Sequence, residues 1–429
     1  VAAQAEGIPR GASVANLCVD RYRFTVMFAA AAVRGATSLF PPNALPGTLA
    51  ALESAHPGLL VTTGAAAAAG SEADLAVLSW IGSRESRQAL PDASQIPLVD
   101  ADLPAACLLT SGSTGVPQPH FKRWSQLVRN VAAASARLAE VTGDRGFEGM
   151  NIVATVPPQH SYGFESSVLA ALLGGAAFDA GRPFYPADIA AALQRLPRPR
   201  ALVTTPFHLR ALMAADVQLP PTDAVLCATA PLSPQLAQAC ERRVGGPLFE
   251  IYGCTEAGQV ASRRTSTTDV WETFGSLTIR AEVSSDGERY TVSGGHVDEP
   301  TPLADLLQLE DGGRHFRLLG RTHDVIHVAG KRASLAHLDW HINSLEGVRD
   351  AAFWLPGDVE DGVVRLVAFV VAPGRSSADI LAGLRPRIEP AFLPRRVVLL
   401  DALPREATGK LTHQALQALA LRHAGAAAP

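Results

Sequence analysis

Apolar residues recur along the first two-thirds of the chain in two alternating periods. Residues 24–32 are apolar at helical spacing, whereas residues 58–63, Gly-Leu-Leu-Val-Thr-Thr, form a short run closed by Gly64. The alternation resumes with strand-like runs at 151–156, 201–205 and 224–228, separated by helical patterns at 166–173 and 208–215 and followed by one at 234–243. Short apolar runs between helical patterns predict an α/β fold with largely parallel sheets.

From Phe274 the texture changes. Residues 277–283 and 288–292 alternate as antiparallel strands would, around the turn-forming Ser285-Asp286-Gly287. Beyond Gly320 the pattern is that of a compact α+β unit: a strand at 325–328, a helix at 335–344, a strand at 363–371 and a helix at 377–385 stopped by Pro386. A boundary near Arg321 gives two domains, 1–320 and 321–429, the second of ordinary domain size. The alanine-rich stretches at 65–69 and 426–428 read as a loop and a tail.

Composition narrows the partners. With 429 residues, 47% of them hydrophobic, the chain can bury a large core without disulfides or metal. Its formal charge is -4 and no long basic tract occurs, which excludes nucleic-acid or anionic-membrane binding driven by counterion release. The five cysteines (Cys18, Cys107, Cys227, Cys240 and Cys254) are far apart and form no CxxC pair, so neither a zinc site nor a disulfide scaffold is expected. No apolar run reaches the ~18 residues of a spanning helix. The expectation is a soluble cytoplasmic protein with no integral membrane association.

One segment stands out chemically. Residues 109–118, Leu-Thr-Ser-Gly-Ser-Thr-Gly-Val-Pro-Gln, follow an apolar run and place two glycines among four hydroxyls. A strand feeding such a loop offers backbone N–H groups and hydroxyls to an anion, phosphate above all. The GxxxxGK[ST] pattern is absent, so kinase or GTPase chemistry is not indicated. Three further segments follow in order: Ile251-Tyr-Gly-Cys-Thr-Glu256, then Gly320-Arg-Thr-His-Asp-Val-Ile-His-Val-Ala-Gly-Lys-Arg332, then Leu403-Pro-Arg-Glu-Ala-Thr-Gly-Lys410.

Together the four segments resemble the adenylate-forming superfamily of acyl-CoA synthetases, aryl-acid ligases, nonribosomal-peptide adenylation domains and luciferases, over residues 14–411. The resemblance implies a large N-terminal domain of stacked α/β subdomains plus a β-rich subdomain, and a small mobile α+β C-terminal domain. It also implies ATP and Mg2+, with CoA or a carrier protein's phosphopantetheine as acyl acceptor. The loop Thr110, Ser111, Gly112, Ser113, Thr114 and Gly115 would hold the β- and γ-phosphates. Glu256 would bind the metal, Thr255 the α-phosphate and Tyr252 the adenine, beside Gly253. Asp305 and Arg321 would take the ribose, with Arg332 also on the nucleotide side. Ala228, Thr229 and Ala230 match the stretch running beside adenine and acid. His160, Tyr162, Gly163 and Phe164, with Gly253 and Gln259, match the acid pocket. Lys410 would bridge the acid carboxylate and the α-phosphate, and His323 stands at the interdomain hinge, where Asp or Lys is usual. Cys227 and Cys254 read as structural.

The chain departs from the family at one telling place. After Val116-Pro117 the family reads Lys-Gly, whereas here Gln118-Pro119-His120-Phe121-Lys122-Arg123-Trp124 follows. The loop lysine is gone, and Lys122 and Arg123 could keep the loop electropositive. This variant resembles ligases of aryl-polyene, xanthomonadin-type pigment and dialkylresorcinol pathways. The expected activity is therefore adenylation of a small aromatic acid, such as a hydroxybenzoate, and its transfer to an acyl carrier protein. An aryl- or medium-chain acyl-CoA ligase is the alternative, and a non-catalytic nucleotide- or acyl-adenylate-binding module a further one.

Overall fold

The computed structural model describes residues 1–63, 76–78, 97–111, 117–143, 146–284, 287–321, 325–328, 331–355, 366–405 and 411–424. Its N-terminal sheet has six strands, in the order Ala76–Val77, Leu60–Thr62, Ser13–Asn16, Thr37–Phe40, Pro104–Ser111 and Pro117–Arg123. The first five are parallel and the last is antiparallel. The larger sheet has nine strands: Asp305–Glu310, His315–Arg321, Trp271–Thr273, Gly258–Arg263, Leu248–Cys254, Ala224–Cys227, Arg200–Thr204, Asn151–Ala154 and Ala177–Phe178. Its last five strands run parallel, as the alternating pattern predicts. Parallel strands are covered on both faces, which is why Ala224–Cys227 is buried at every position.

The helices follow from their caps and apolar stripes. Asp20 caps helix Arg21–Val33 by accepting from the Arg23 N–H (2.8 Å), and Phe24, Met27, Phe28 and Ala31 line its buried face. Phe40 of the N-terminal sheet meets Phe164 at a ring distance of 4.8 Å, and Phe28 meets the same ring at 5.0 Å. Phe164 thus joins the two α/β layers in one aromatic core. Arg21 bolts the layers together with polar bonds. It is 1% exposed, and its guanidinium donates to Ser167 Oγ (2.6 Å) and to the carbonyls of Ala154 (3.1 Å) and Val156 (2.8 Å).

A separate antiparallel sheet, Thr278–Ser284, Gly287–Gly294 and Val297–Leu303, accounts for the change of texture after Phe274. Beyond it come a hairpin, Val325–Val328 with Lys331–Ser334, helix Leu335–Asn343, and a mixed sheet of Asp350–Trp354, Val367–Val371 and Arg396–Leu399. Helices Ser377–Leu384 and His413–Ala424 complete this part. Its apolar cores draw only on residues from Ile326 onward, and the main core before it draws on none beyond Leu318. Among the described residues no helix is long and apolar enough to cross a membrane.

Two expectations need correcting. Residues 117 and 118, counted with the glycine-hydroxyl loop, are strand: Pro117–Arg123 is an edge strand pairing with Pro104–Ser111, with Pro117 opposite Ser111 and Pro119 opposite Leu109. An edge strand tolerates proline because one of its sides has no ladder to serve. The strand expected at 363–371 begins no earlier than Val367 among the described residues, Val367–Val371, and residues 363–365 lie outside the described set. The stretches 65–69 and 426–428, and Ser285 and Asp286 of the expected turn, likewise lie outside it.

Arg21→Met should destabilise the protein by about 3 kcal/mol or more, since it strands two buried carbonyls. The midpoint of urea unfolding measures it, and an unchanged midpoint would show that Arg21 does not hold the layers together.

Candidate active site

Parallel strands deliver their following loops to one end of a sheet, and ligands bind there in open α/β folds. Three expected site segments follow strands of the parallel part of the larger sheet. Residues 155–160 follow Asn151–Ala154, Ala228-Thr229-Ala230 follow Ala224–Cys227, and the Thr255-Glu256 turn follows Leu248–Cys254. His160 is exposed and precedes a helical segment containing Tyr162, Gly163 and Phe164, all buried. That helix continues as a π-helical stretch, Phe164–Leu169, a geometry concentrated at functional sites. Thr229 takes φ 83°, a left-handed conformation that is costly for a β-branched residue.

A buried carboxylate sets the position of the Tyr252–Glu256 segment. Glu250 and Arg263 form an ion pair at 2.7 Å with side chains only 5% and 8% exposed. Glu250 also accepts from the Leu232 N–H (3.1 Å) and from Thr265 Oγ1 (2.7 Å). One carboxylate thereby ties the 228–232 segment, Leu248–Cys254 and Gly258–Arg263 together. The Arg263 guanidinium lies 4.4 Å over the Trp271 ring, and Trp271 packs beside Tyr252 at 5.7 Å. Gly253 is required by close approach, since a Cβ there would sit 2.2 Å from the Gly258 carbonyl oxygen.

Three of the residues expected at the nucleotide, Tyr252, Asp305 and Arg321, lie together. The Tyr252 hydroxyl donates to Asp305 Oδ2 at 2.6 Å, and Asp305 lies opposite Arg321 in the antiparallel ladder. Tyr252 is 8% exposed, with its ring against Trp271 and Phe316, so what it visibly does is hold the carboxylate. Arg332 stands opposite His327 in the hairpin that follows. Thr255 is half-buried, whereas the Glu256 carboxylate is 47% exposed. Among the described residues no cluster of three or more metal-ligating side chains occurs. Magnesium needs none, because it keeps waters and binds through one or two carboxylates plus substrate phosphates. An open Glu256 carboxylate fits that demand.

Beneath the turn lies a polar chamber. His120 Nε2 is 3.7 Å from Glu256 Oε1, and the Lys122 ammonium donates to the Glu256 main-chain carbonyl. Glu165, Asn130 and His296 are all buried and gather around Gly258, whose φ of 82° suits glycine. A Cβ at Gly258 would lie 3.0 Å from Asn130 Nδ2 and 3.2 Å from Glu165 Oε1. Desolvation pushes the Glu165 carboxyl up to about 7 and, with the nearby Lys122 charge, pulls His296 down to about 4. Gln259 is buried and donates to Ser166 Oγ at 2.8 Å, linking the acid-pocket helix to strand Gly258–Arg263.

Of the remaining expected residues, Gly112, Ser113, Thr114, Gly115, His323 and Lys410 lie outside the described set, and Thr110 and Ser111 are described by their backbone, at the end of strand Pro104–Ser111. The loop that Lys122 and Arg123 are expected to charge, residues 112–116, lies outside the described residues. Strand alternation turns Lys122 inward under Glu256 and leaves Arg123 outside, 3.9 Å from Asp298. The pattern also passed over Glu250, Arg263, Glu165, Asn130 and His296. A charged residue inside the apolar run 248–251 was the only local sign of Glu250.

The model of the AMP-binding enzyme family matches residues 3–288. The chain belongs to that family. Its members are adenylate-forming, ATP-dependent ligases. The chain is 32% identical to the 4-coumarate–CoA ligase of Halorhodospira halophila over 317 residues, 70% of this chain and 73% of that one. ATP-bound MatB from Rhodopseudomonas palustris shares the fold at a TM-score of 0.74 and 19% identity, over 97% of this chain and 90% of that one. MenE, the o-succinylbenzoate–CoA synthetase from Bacillus subtilis seen with its acyl-adenylate, does so at 0.74 and 17%, over 96% and 90%. The mixed α/β architecture is that of these enzymes.

Glu250→Leu should cost about 3–5 kcal/mol, because it leaves the Arg263 charge buried without a partner. Glu250→Leu/Arg263→Met should recover most of that loss in chemical unfolding. Additive losses in the double variant would show that the two side chains are not coupled.

Proposed function

We propose that this AMP-binding family member is an acid ligase that adenylates a small aromatic carboxylic acid, such as a hydroxybenzoate, and passes the acyl group to the phosphopantetheine thiol of an acyl carrier protein. The observation that carries the adenylation step is the meeting of Tyr252, Asp305 and the Arg321 position in one corner, with the open Glu256 carboxylate on the turn that begins three residues after Tyr252. In the first half-reaction a carboxylate oxygen of the acid bonds to the α-phosphorus and pyrophosphate leaves. Two anions must approach, so cations and oriented dipoles matter more than a base. Glu256 would hold magnesium, which neutralises the phosphates, and Thr255 would steady the α-phosphate. In the second half-reaction the thiolate attacks the acyl carbonyl and AMP leaves.

Support for an aromatic acid comes from relatives whose names specify 4-coumarate and o-succinylbenzoate. The pocket for it would be formed by His160, Tyr162, Gly163, Phe164, Gly253 and Gln259, and the loop 110–115 would cover the outer phosphates. The carrier-protein acceptor rests on the resemblance of the Pro-His-x-Lys-x-Trp segment. A second reading, CoA as acceptor, is favoured by the CoA ligases among the relatives. We assign residues 1–320 to acid and ATP binding and residues 321–429 to a mobile domain that turns about His323 and carries Lys410.

Lys410 would bridge the acid carboxylate and the α-phosphate, a close charge pair worth ~4 kcal/mol at an effective dielectric of 20. Lys410→Ala should therefore slow acid-dependent pyrophosphate exchange by ~10²-fold or more. Thioester formation from pre-made acyl-adenylate should largely survive. Equal loss of both half-reactions would refute the role. Mass spectrometry after incubation with ATP, acid and either CoA or holo-carrier protein reads the acceptor directly.

A further inference from the structure

Lys122 has no part in the chemistry described so far. It lies on the edge strand Pro117–Arg123 two residues after His120, so both side chains leave the strand on the same face. The two flank one residue. His120 approaches the Glu256 carboxylate at 3.7 Å, and Lys122, 8% exposed, donates to the main-chain carbonyl of that same glutamate. The strand thus grips both ends of Glu256.

An ammonium in such a place is expensive to bury. Desolvation pulls its pKa down, and Glu165, Cys254 and Glu256 only partly oppose this. Among the described residues its hydrogen bond goes to the Glu256 carbonyl alone. The polar cluster around it is also imperfectly satisfied, since Asn130 Oδ1 has no hydrogen-bond partner among the described residues. Apolar side chains would pack this space more stably, so the cation's place is explained by what it holds. What it holds is the peptide carrying the one open carboxylate of the turn.

We propose that Lys122 is a positioning residue for the metal-binding carboxylate: by fixing the Glu256 carbonyl it aims the Glu256 side chain at the magnesium-bound phosphates. The proposal rests on the adenylation reading given above. It accounts for the coincidence, within five residues, of Gln118 where a lysine is usual and a buried lysine at 122. The support that a loop cation gives to the triphosphate is supplied here through the metal's own ligand.

The test is calorimetric binding of ATP with and without Mg2+, and of AMP, to the full-length chain. In the wild type Mg2+ tightens ATP binding and AMP binds without metal. Lys122→Met is expected to reduce the tightening by Mg2+ at least about tenfold, while AMP affinity stays within about twofold. Lys122→Arg, which keeps a cationic donor, should restore most of the effect. Gln118→Lys added to Lys122→Met should not, because a charge on the loop cannot hold the carbonyl. Should Lys122→Met fail to fold, Lys122→Met/Glu165→Met removes both buried charges and is expected to fold with the same loss. Parallel losses of AMP and Mg-ATP binding, an unchanged Mg2+ effect in a folded variant, or recovery by Gln118→Lys would each overturn the proposal. Wild-type ATP binding indifferent to Mg2+ would instead contradict the placement of the metal at Glu256, and with it the adenylation reading itself.

Discussion

The Glu250 carboxylate is the constraint from which the site follows. It is buried between strands and satisfied by Arg263, Thr265 and the Leu232 N–H at once. A buried charge with those partners has one low-energy arrangement, because losing any of them in a desolvated interior is costly. Two residues further along the same strand is Tyr252, whose ring packs beside Trp271, itself covered by the Arg263 guanidinium. The position of the Tyr252–Glu256 segment is thus set from below by electrostatics rather than by the loop's own sequence.

From that fixed strand end the functional groups diverge in two directions. Tyr252 reaches across the sheet to Asp305, beside the Arg321 position, and defines a corner suited to ribose and adenine. Glu256 faces outward, flanked by His120 and underpinned by Lys122. A nucleotide lying along this line would place its sugar at one end and its phosphates at the other. Membership of the AMP-binding enzyme family agrees with that reading.

Much of this was legible in the sequence. The alternation of periods gave the parallel strands at 151–154, 200–204 and 224–227, since strands buried on both faces must be continuously apolar. The motif around Tyr252 and the order of the four segments pointed to adenylation. The rest was hidden for identifiable reasons. Glu250 and Arg263 are partners through sheet pairing, and register is not encoded in either residue alone. Strand Pro117–Arg123 was missed because its prolines mask a strand that survives only at an edge. The burial of Lys122 was hidden for the same cause: without the strand, its inward direction could not be read. The buried cluster of Glu165, Asn130 and His296 brings His296 to residues more than a hundred positions before it, which no local pattern announces.

The claim that the Tyr252–Asp305 corner receives a nucleotide is tested most directly by the affinity of AMP for Asp305→Ala. AMP avoids both the metal and the outer phosphates, so its binding isolates the corner. Removing a carboxylate that accepts from a ribose hydroxyl should weaken AMP by about tenfold or more, with the melting temperature within a few degrees of wild type. Undiminished AMP binding by the folded variant would contradict the account.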